Sequence, residues 1–238
     1  HTVADLKKDV ALSTDADCTW SLKDGSVFKI NGNTLVAPAS VTALVIDTLT
    51  ATYKSGYTKP FVIESRPAIP LTGAGTAADP YLIKTSNEWN AFASYMATCG
   101  EPMTGKVVKL AANLTFNLLI HPFSSDNVTI FDGELDGNGM TVTAKYTAKA
   151  EAEGILFKSL GANAYVHDLT VKGSFTTAYA KGGAVVGSLA GKLENVVNRA
   201  TVKGGTKSYL GGLVGVALTG AQLTDCVNEG EVTSAGAY

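Results

Sequence analysis

The second half of the chain repeats itself. The block Glu153-Gly154-Ile155-Leu156-Phe157-Lys158-Ser159-Leu160 returns as Gly182-Gly183-Ala184-Val185-Val186-Gly187-Ser188-Leu189. It returns again as Gly211-Gly212-Leu213-Val214-Gly215-Val216-Ala217-Leu218, each copy starting 29 residues after the last. Every copy has a second half: Asp168-Leu169 corresponds to Asn195-Val196 and to Asp225-Cys226, and six residues beyond the apolar position stand Phe175, Val202 and Val232. A fixed period of roughly 20–50 residues marks stacked units, none of which buries its apolar face alone.

The unit holds two short β-type runs, glycine-rich corners and little helix. A leucine-rich repeat would carry a leucine ladder with an Asn signature, and a propeller blade would need four strands in about 40 residues or more. One coil of a single-stranded parallel β-helix fits instead, with small residues at the corners and apolar residues stacked inside. Leu169, Val196 and Cys226 are predicted to form one interior stack. Parallel crossovers favour the right hand. Val107 to the end supplies about five coils, roughly 25 Å tall at ~4.8 Å per rung.

The ends of such a stack are exposed sheet edges. Thr85-Ser86-Asn87-Glu88 fits a capping box, Trp89, Phe92, Ala93 and Met96 recur on one helical face, and Gly100 suits a stop. A helix over about 86–99 is therefore expected to cap the first coil. Nothing after Val232 resembles a second cap, which predicts a truncated chain or an end covered by something else.

Glycine marks a boundary: residues 1–67 hold three of the 25, and residues 68–238 hold the other 22. Arg66-Pro67-Ala68-Ile69-Pro70-Leu71-Thr72-Gly73 lies at the change and reads as a stiff linker. The predicted domains are 1–68 and 71–238. The first reads as a small β-sandwich. Thr19-Trp20-Ser21-Leu22 alternates, Asn31-Gly32 separates two β-rich runs as a hairpin turn, and Leu49-Thr50-Ala51-Thr52-Tyr53 leads through Ser55-Gly56 to Phe61-Val62-Ile63. Val3 to Val10 fits a helical turn or an edge strand.

Charged residues make up 17% of the chain, against about 25% in an average soluble domain. A net charge of -2 argues against nucleic acid, whose binding wants a basic excess. No apolar run approaches the ~20 residues of a membrane span. Cys18, Cys99 and Cys226 make neither a disulfide framework nor a metal-ligand spacing. The chain starts at His1 with no apolar leader, so a leader has been removed or the chain is part of something larger. Low charge with abundant Thr, Asn and Gly suits a secreted bacterial protein.

Gly211-Gly212-Leu213-Val214-Gly215 and Cys226-Val227-Asn228-Glu229-Gly230-Glu231-Val232 resemble the bacterial GLUG repeat. Gly182 to Gly187 is a close variant and Gly154 to Phe157 a degenerate one. Phe131 to Val142 and Gly75 to Ile83 are similar to the segments that precede such repeats, so the likeness covers about residues 71–238. Residues 1–67 resemble an atypical bacterial Ig-like domain through Thr19-Trp20-Ser21, Asn31-Gly32, Val36-Ala37-Pro38, Leu49-Thr50-Ala51-Thr52 and Phe61-Val62-Ile63. The resemblance implies a secreted or surface-attached, adhesin-like protein, commonly of gut Bacteroides-type bacteria. It brings no catalytic residue.

Asp132, Glu134, Asp136 and Gly137 match the front of a Ca²⁺ loop, but loop position 12 is Thr143 and flanking helices are missing, so a tight turn is expected. His167 and Asp168 are adjacent, so in a strand they are expected on opposite faces and not as a pair. His121 precedes a proline in a loop. Arg199 is expected at a corner. Asp168, Asn195 and Asp225 read as a ladder of short polar residues at a turn. No catalytic residue, cofactor or metal is expected. The variable corners are predicted to share one edge that carries Tyr146, Tyr179, Tyr209, Lys181 and Lys207, suited to a glycan or a host or bacterial surface protein. The expected function is a non-catalytic secreted or surface adhesin. The alternatives are a carbohydrate-active lyase or hydrolase and a structural stalk.

Overall fold

A computed structural model describes residues 4–5, 9–116, 130–148, 153–178, 181–205 and 209–235. Its internal contacts separate two units, His1–Ile69 and Pro70–Tyr238.

In the first unit, alternating apolar residues form seven strands: β1 (Ala4–Asp5), β2 (Val10–Ala11), β3 (Cys18–Leu22), β4 (Lys29–Asn31), β5 (Thr34–Val36), β6 (Val45–Tyr53) and β7 (Thr58–Ser65). They make one sheet in the order β1-β7-β6-β3 and another in the order β2-β5-β4. The Asn31-Gly32 turn joins β4 to β5, with Gly32 at φ 57°. Leu12, Phe28, Leu35, Leu49 and Ile63 form one buried cluster drawn from both sheets, with Trp20 and Phe61 packed against it. The early segment supplies strands, β1 lying parallel to β7.

The second unit contains β8 (Tyr81–Ile83), α1 (Ser86–Cys99), β9 (Val107–Leu110), β10 (Leu114–Thr115), β11 (Glu134–Asp136), β12 (Thr141–Thr147), β13 (Glu153–Gly154) and β14 (Phe157–Leu160). There follow β15 (Tyr165–Thr177), β16 (Lys181–Gly183), β17 (Val186–Leu189), β18 (Lys192–Gly204), β19 (Tyr209–Gly211), β20 (Val214–Ala217), β21 (Gln222–Thr224), β22 (Val227–Asn228) and β23 (Val232–Ser234). These strands pair in parallel, coil upon coil, in a β-solenoid of about five turns. One ladder runs β8-β9-β11-β15-β18-β21; β13-β16-β19 and β14-β17-β20 form two others.

The register departs from a uniform 29. Gly154 pairs with Gly183 at that interval, but Gly183 pairs with Gly211, one residue short of the expected alignment with Gly212. In the other half Leu169 pairs with Val196 and Val197 with Val227, offsets of 27 and 30 read from the numbers. Inward-facing residues must stay stacked, so the corners absorb the difference. Glycine permits a close corner: a Cβ on Gly183 would lie 2.6 Å from both the amide nitrogen of Gly215 and the carbonyl oxygen of Leu213.

Leu169 and Val196 stack inside and are buried. Cys226, expected to join them in the core, is only half-buried. It belongs to the last described coil, whose strands β21, β22 and β23 pair with β18 alone. Leu223 and Val227 in that coil are also exposed. Arg199, expected at a corner, lies within β18 and points outward to Glu229, with Nε 2.6 Å from Oε2.

The opposite end is covered. Thr85 Oγ1 accepts from the Glu88 amide at 3.1 Å, and Glu88 Oε2 accepts from the Thr85 amide at 2.9 Å. Gly100 ends α1 at φ 61°. The helix buries Trp89, Phe92, Tyr95, Met96 and Cys99. The Trp89 ring meets Phe116 edge-on at 6.1 Å and Phe157 at 6.5 Å, residues at the first rungs of their ladders.

Val196→Asp places an unpaired charge at a fully buried position and is expected to destabilise this unit by on the order of 3 kcal/mol or more. Cys226→Asp, at the half-exposed end, is expected to cost much less. Urea unfolding followed by circular dichroism checks the pair; equal losses would contradict the stack as described.

Candidate functional site

Strand alternation sends every second residue of the longest ladder outward. Val108, Leu135, Val166 and Leu193 face the interior and are buried. Between them, two outward columns stand in register: Glu134 beside Tyr165 beside Lys192, and Lys109 beside Asp136 beside His167 beside Glu194. The coil then bends at Asp168, Asn195 and Asp225, with φ of 52°, 51° and 51°. Asp and Asn tolerate this left-handed conformation because their short polar side chains bond locally. Asn195 Nδ2 donates to Asp168 Oδ1 at 2.5 Å, which bonds the first two members of the expected polar ladder.

The bend overturns one expectation. Strict alternation would hold His167 and Asp168 on opposite faces, but the left-handed backbone at Asp168 swings its carboxylate back. His167 Nδ1 lies 2.7 Å from Asp168 Oδ2 and 4.0 Å from Asp136 Oδ1, while its Nε2 lies 3.3 Å from Glu134 Oε1. The imidazole stacks on the Tyr165 ring at 4.3 Å. Lys109 Nζ donates to Asp136 Oδ2 at 2.6 Å. Glu194 Oε2 accepts from Lys192 Nζ at 2.5 Å and from the Tyr165 hydroxyl at 2.8 Å.

These contacts set the charges. The hydrogen bond from His167, then that from Asn195, holds the Asp168 carboxyl below the usual carboxylate range. Lys192 and then Tyr165 do the same for Glu194. The bond to Glu194 and partial burial push the Tyr165 hydroxyl up to about 12. Burial pushes Asp132 upward, but hydrogen bonds from the Asn163 side chain and amide and from Thr104 outweigh it and leave the carboxyl lowered.

Asp132 thus ties coils together, accepting from Thr104 Oγ1 at 3.0 Å and from the Asn163 amide at 2.9 Å. The segment that matched a Ca²⁺ loop is strand β11 followed by a turn at Asn138 and Gly139, with φ of 51° and 71°.

The residues of the predicted tyrosine-lysine edge fall in different places. Lys181 and Tyr209 are register partners on neighbouring rungs, both exposed. Tyr179 and Lys207 lie outside the described residues. Tyr146, expected on the surface, is buried: it stacks on its register partner Phe175 at 6.1 Å, and its hydroxyl donates to Glu153 Oε2 at 3.0 Å. Its place in β12, between outward Lys145 and Thr147, sends it inward.

Of the polar wall around His167, sequence reading names Glu134 and Asp136 only as part of a Ca²⁺-loop match, and it misses Lys109, Tyr165, Lys192 and Glu194. The wall's signal is the matching triplets Glu134-Leu135-Asp136, Tyr165-Val166-His167 and Lys192-Leu193-Glu194, polar-apolar-polar at coil spacing.

No family model matches the chain. It is 28% identical over 177 residues to "Halomucin" of Haloquadratum walsbyi, which covers 71% of this chain and 2% of that protein. It is 29% identical over 138 residues to a "Putative Gly-rich membrane protein" of Evansella cellulosilytica, which covers 55% of this chain and 15% of that one. The chain therefore spans a small fraction of the length of either curated relative. Among solved structures, a "putative immunoglobulin A1 protease" from Bacteroides ovatus aligns at 12% identity with a TM-score of 0.42, covering 68% of this chain and 69% of that one. No helix among the described residues is long and apolar enough to cross a membrane.

Proposed function

We propose that the chain is part of a non-catalytic, secreted or cell-surface adhesin-like protein, in which GLUG-type coils display a binding edge and an Ig-like domain acts as a spacer. The observation that supports the non-catalytic reading is the pairing of the wall carboxylates: Lys109 binds Asp136, His167 and Asn195 bind Asp168, and Lys192 and Tyr165 bind Glu194. A glycosidase needs one carboxyl held protonated by a raised pKa. Asp132, Asp168 and Glu194 move the opposite way, because each accepts hydrogen bonds that favour its charged form. Similarity to proteins named as a halomucin and a membrane protein supports a surface setting. Lys181 beside Tyr209 supports a polar, mildly acidic partner.

One observation favours the carbohydrate-active alternative: Glu134, Asp136, Asp168 and Glu194 line one wall of adjacent coils around His167. A glycan array probed with the whole chain separates the readings, together with a reducing-end assay on any glycan retained. The expected outcome is retention without new reducing ends, weakened by Tyr209→Ser. New reducing ends that disappear in Asp168→Ala would replace the adhesin reading with the enzymatic one.

The shifts also fix the acid limb of stability. Asp132 and Glu194 have folded pKa values below their unfolded ones, so their stabilisation is present above the unfolded values, about pH 4. It is lost as pH falls through the lower folded values. The thermal midpoint is expected to fall on acidification from about pH 6 to about pH 3, and less steeply in Glu194→Gln. Differential scanning calorimetry reads both slopes.

A further inference from the structure

The wall around His167 holds more than an ion-pair network needs. Four carboxylates (Glu134, Asp136, Asp168 and Glu194) surround the imidazole. Two lysines answer them, Lys109 on Asp136 and Lys192 on Glu194. With a neutral imidazole, this group of described side chains carries two uncompensated negative charges. Adding a proton to the ring removes only one.

The donor atoms are also grouped. His167 Nδ1, one oxygen of Asp136 and one of Asp168 all lie within 4.8 Å of one another. A first-row divalent ion sits about 2.0–2.2 Å from such nitrogen and oxygen ligands, so neighbouring donors around it stand roughly 3 Å apart. The separations of 2.7 Å to Asp168 and 4.0 Å to Asp136 bracket that spacing. Asp136 binds Lys109 through Oδ2, and its Oδ1, which faces the ring, also accepts from the Asn138 amide at 2.7 Å and offers a metal ion its remaining lone pair.

The other ring nitrogen is placed as metal-binding histidines usually have it. Nε2 faces Glu134 Oε1 at 3.3 Å, a carboxylate that can hold the ring proton there once a metal ion displaces the one that Nδ1 donates to Asp168. Tyr165 stacks on the ring, and the His167 side chain is 14% exposed. Asp168 reaches the group only because of its left-handed backbone.

We propose that Asp136, His167 Nδ1 and Asp168 form a binding site for a divalent first-row transition-metal ion on the outer wall of the solenoid, with Glu134 orienting the imidazole. The mixed nitrogen and oxygen set selects Zn²⁺ or Co²⁺ over Ca²⁺, which takes six to eight oxygens. The remaining coordination positions face solvent, where a carboxylate or hydroxyl group of a partner can complete the shell. The site stands independently of the adhesin reading.

Isothermal titration of the whole chain with ZnCl₂ and with CaCl₂, and visible absorption on adding CoCl₂, test it. One Zn²⁺ per chain is expected, with no comparable Ca²⁺ binding and a Co²⁺ spectrum showing nitrogen ligation. His167→Gln and Asp168→Asn are each expected to weaken Zn²⁺ at least about tenfold. Asn keeps the left-handed corner available, so Asp168→Asn remains informative if His167→Gln misfolds; circular dichroism without metal checks both. Absence of saturable Zn²⁺ binding would overturn the site. So would unchanged affinity in either folded variant, which would move the ion to His1, His121 or a cysteine.

Discussion

The backbone ladder that closes each coil onto the next governs this unit. Parallel strands stacked in register leave every residue two options, inward or outward, and every coil must return to the same place after one circuit. The inward columns are accordingly Val108-Leu135-Val166-Leu193, Leu169-Val196 and Tyr146-Phe175-Val202. Their burial is the main favourable term available to a unit with a single helix among its described residues. The ladder also has ends. α1 lays Trp89 and its neighbours over the first rungs, while Leu223, Cys226 and Val227 mark where the described stack stops with apolar groups partly in solvent.

The same ladder builds the polar wall. Outward positions at neighbouring rungs sit about 4.8 Å apart, close enough for side chains of adjacent coils to bond directly. Lys109 reaches Asp136, and Tyr165 reaches Glu194. Because each coil contributes two or three such residues, charges far apart in sequence become neighbours without any loop being shaped for the purpose. The corner at Asp168 adds the one departure from alternation and turns two sequence neighbours into a contact pair.

What was legible in the sequence was whatever depends on periodicity. The repeat gave the parallel coils, the pairing of Leu169 with Val196 and of Phe175 with Val202, and the polar ladder at Asp168, Asn195 and Asp225. The capping box fixed α1 to the residue. What failed was local or positional. His167 and Asp168 were separated by a rule for extended strands, and Asp168 is not extended. Tyr146 was assigned to a variable corner although it stands 29 residues before Phe175 and occupies the same column. Gly211 was displaced by one because the period was held rigid across a corner of variable length. Cys226 follows the right column, but its burial depends on a coil above it, which no position within the repeat encodes.

The wall and its corner depend on the register, and engineered disulfides between β15 and β18 test it most directly. Lys172 and Arg199 are outward register partners, whereas Thr201, also outward, pairs with Ser174. A disulfide needs Cα atoms roughly 4.4–6.8 Å apart, which register partners satisfy at ~4.8 Å. The chain carrying Lys172→Cys and Arg199→Cys should form that bond in mild oxidant, identified by peptide mapping, while the chain carrying Lys172→Cys and Thr201→Cys should stay reduced at those positions. Efficient bonding to position 201, the uniform 29-residue pairing, with none to position 199 would contradict the coil geometry from which the wall and its corner are derived.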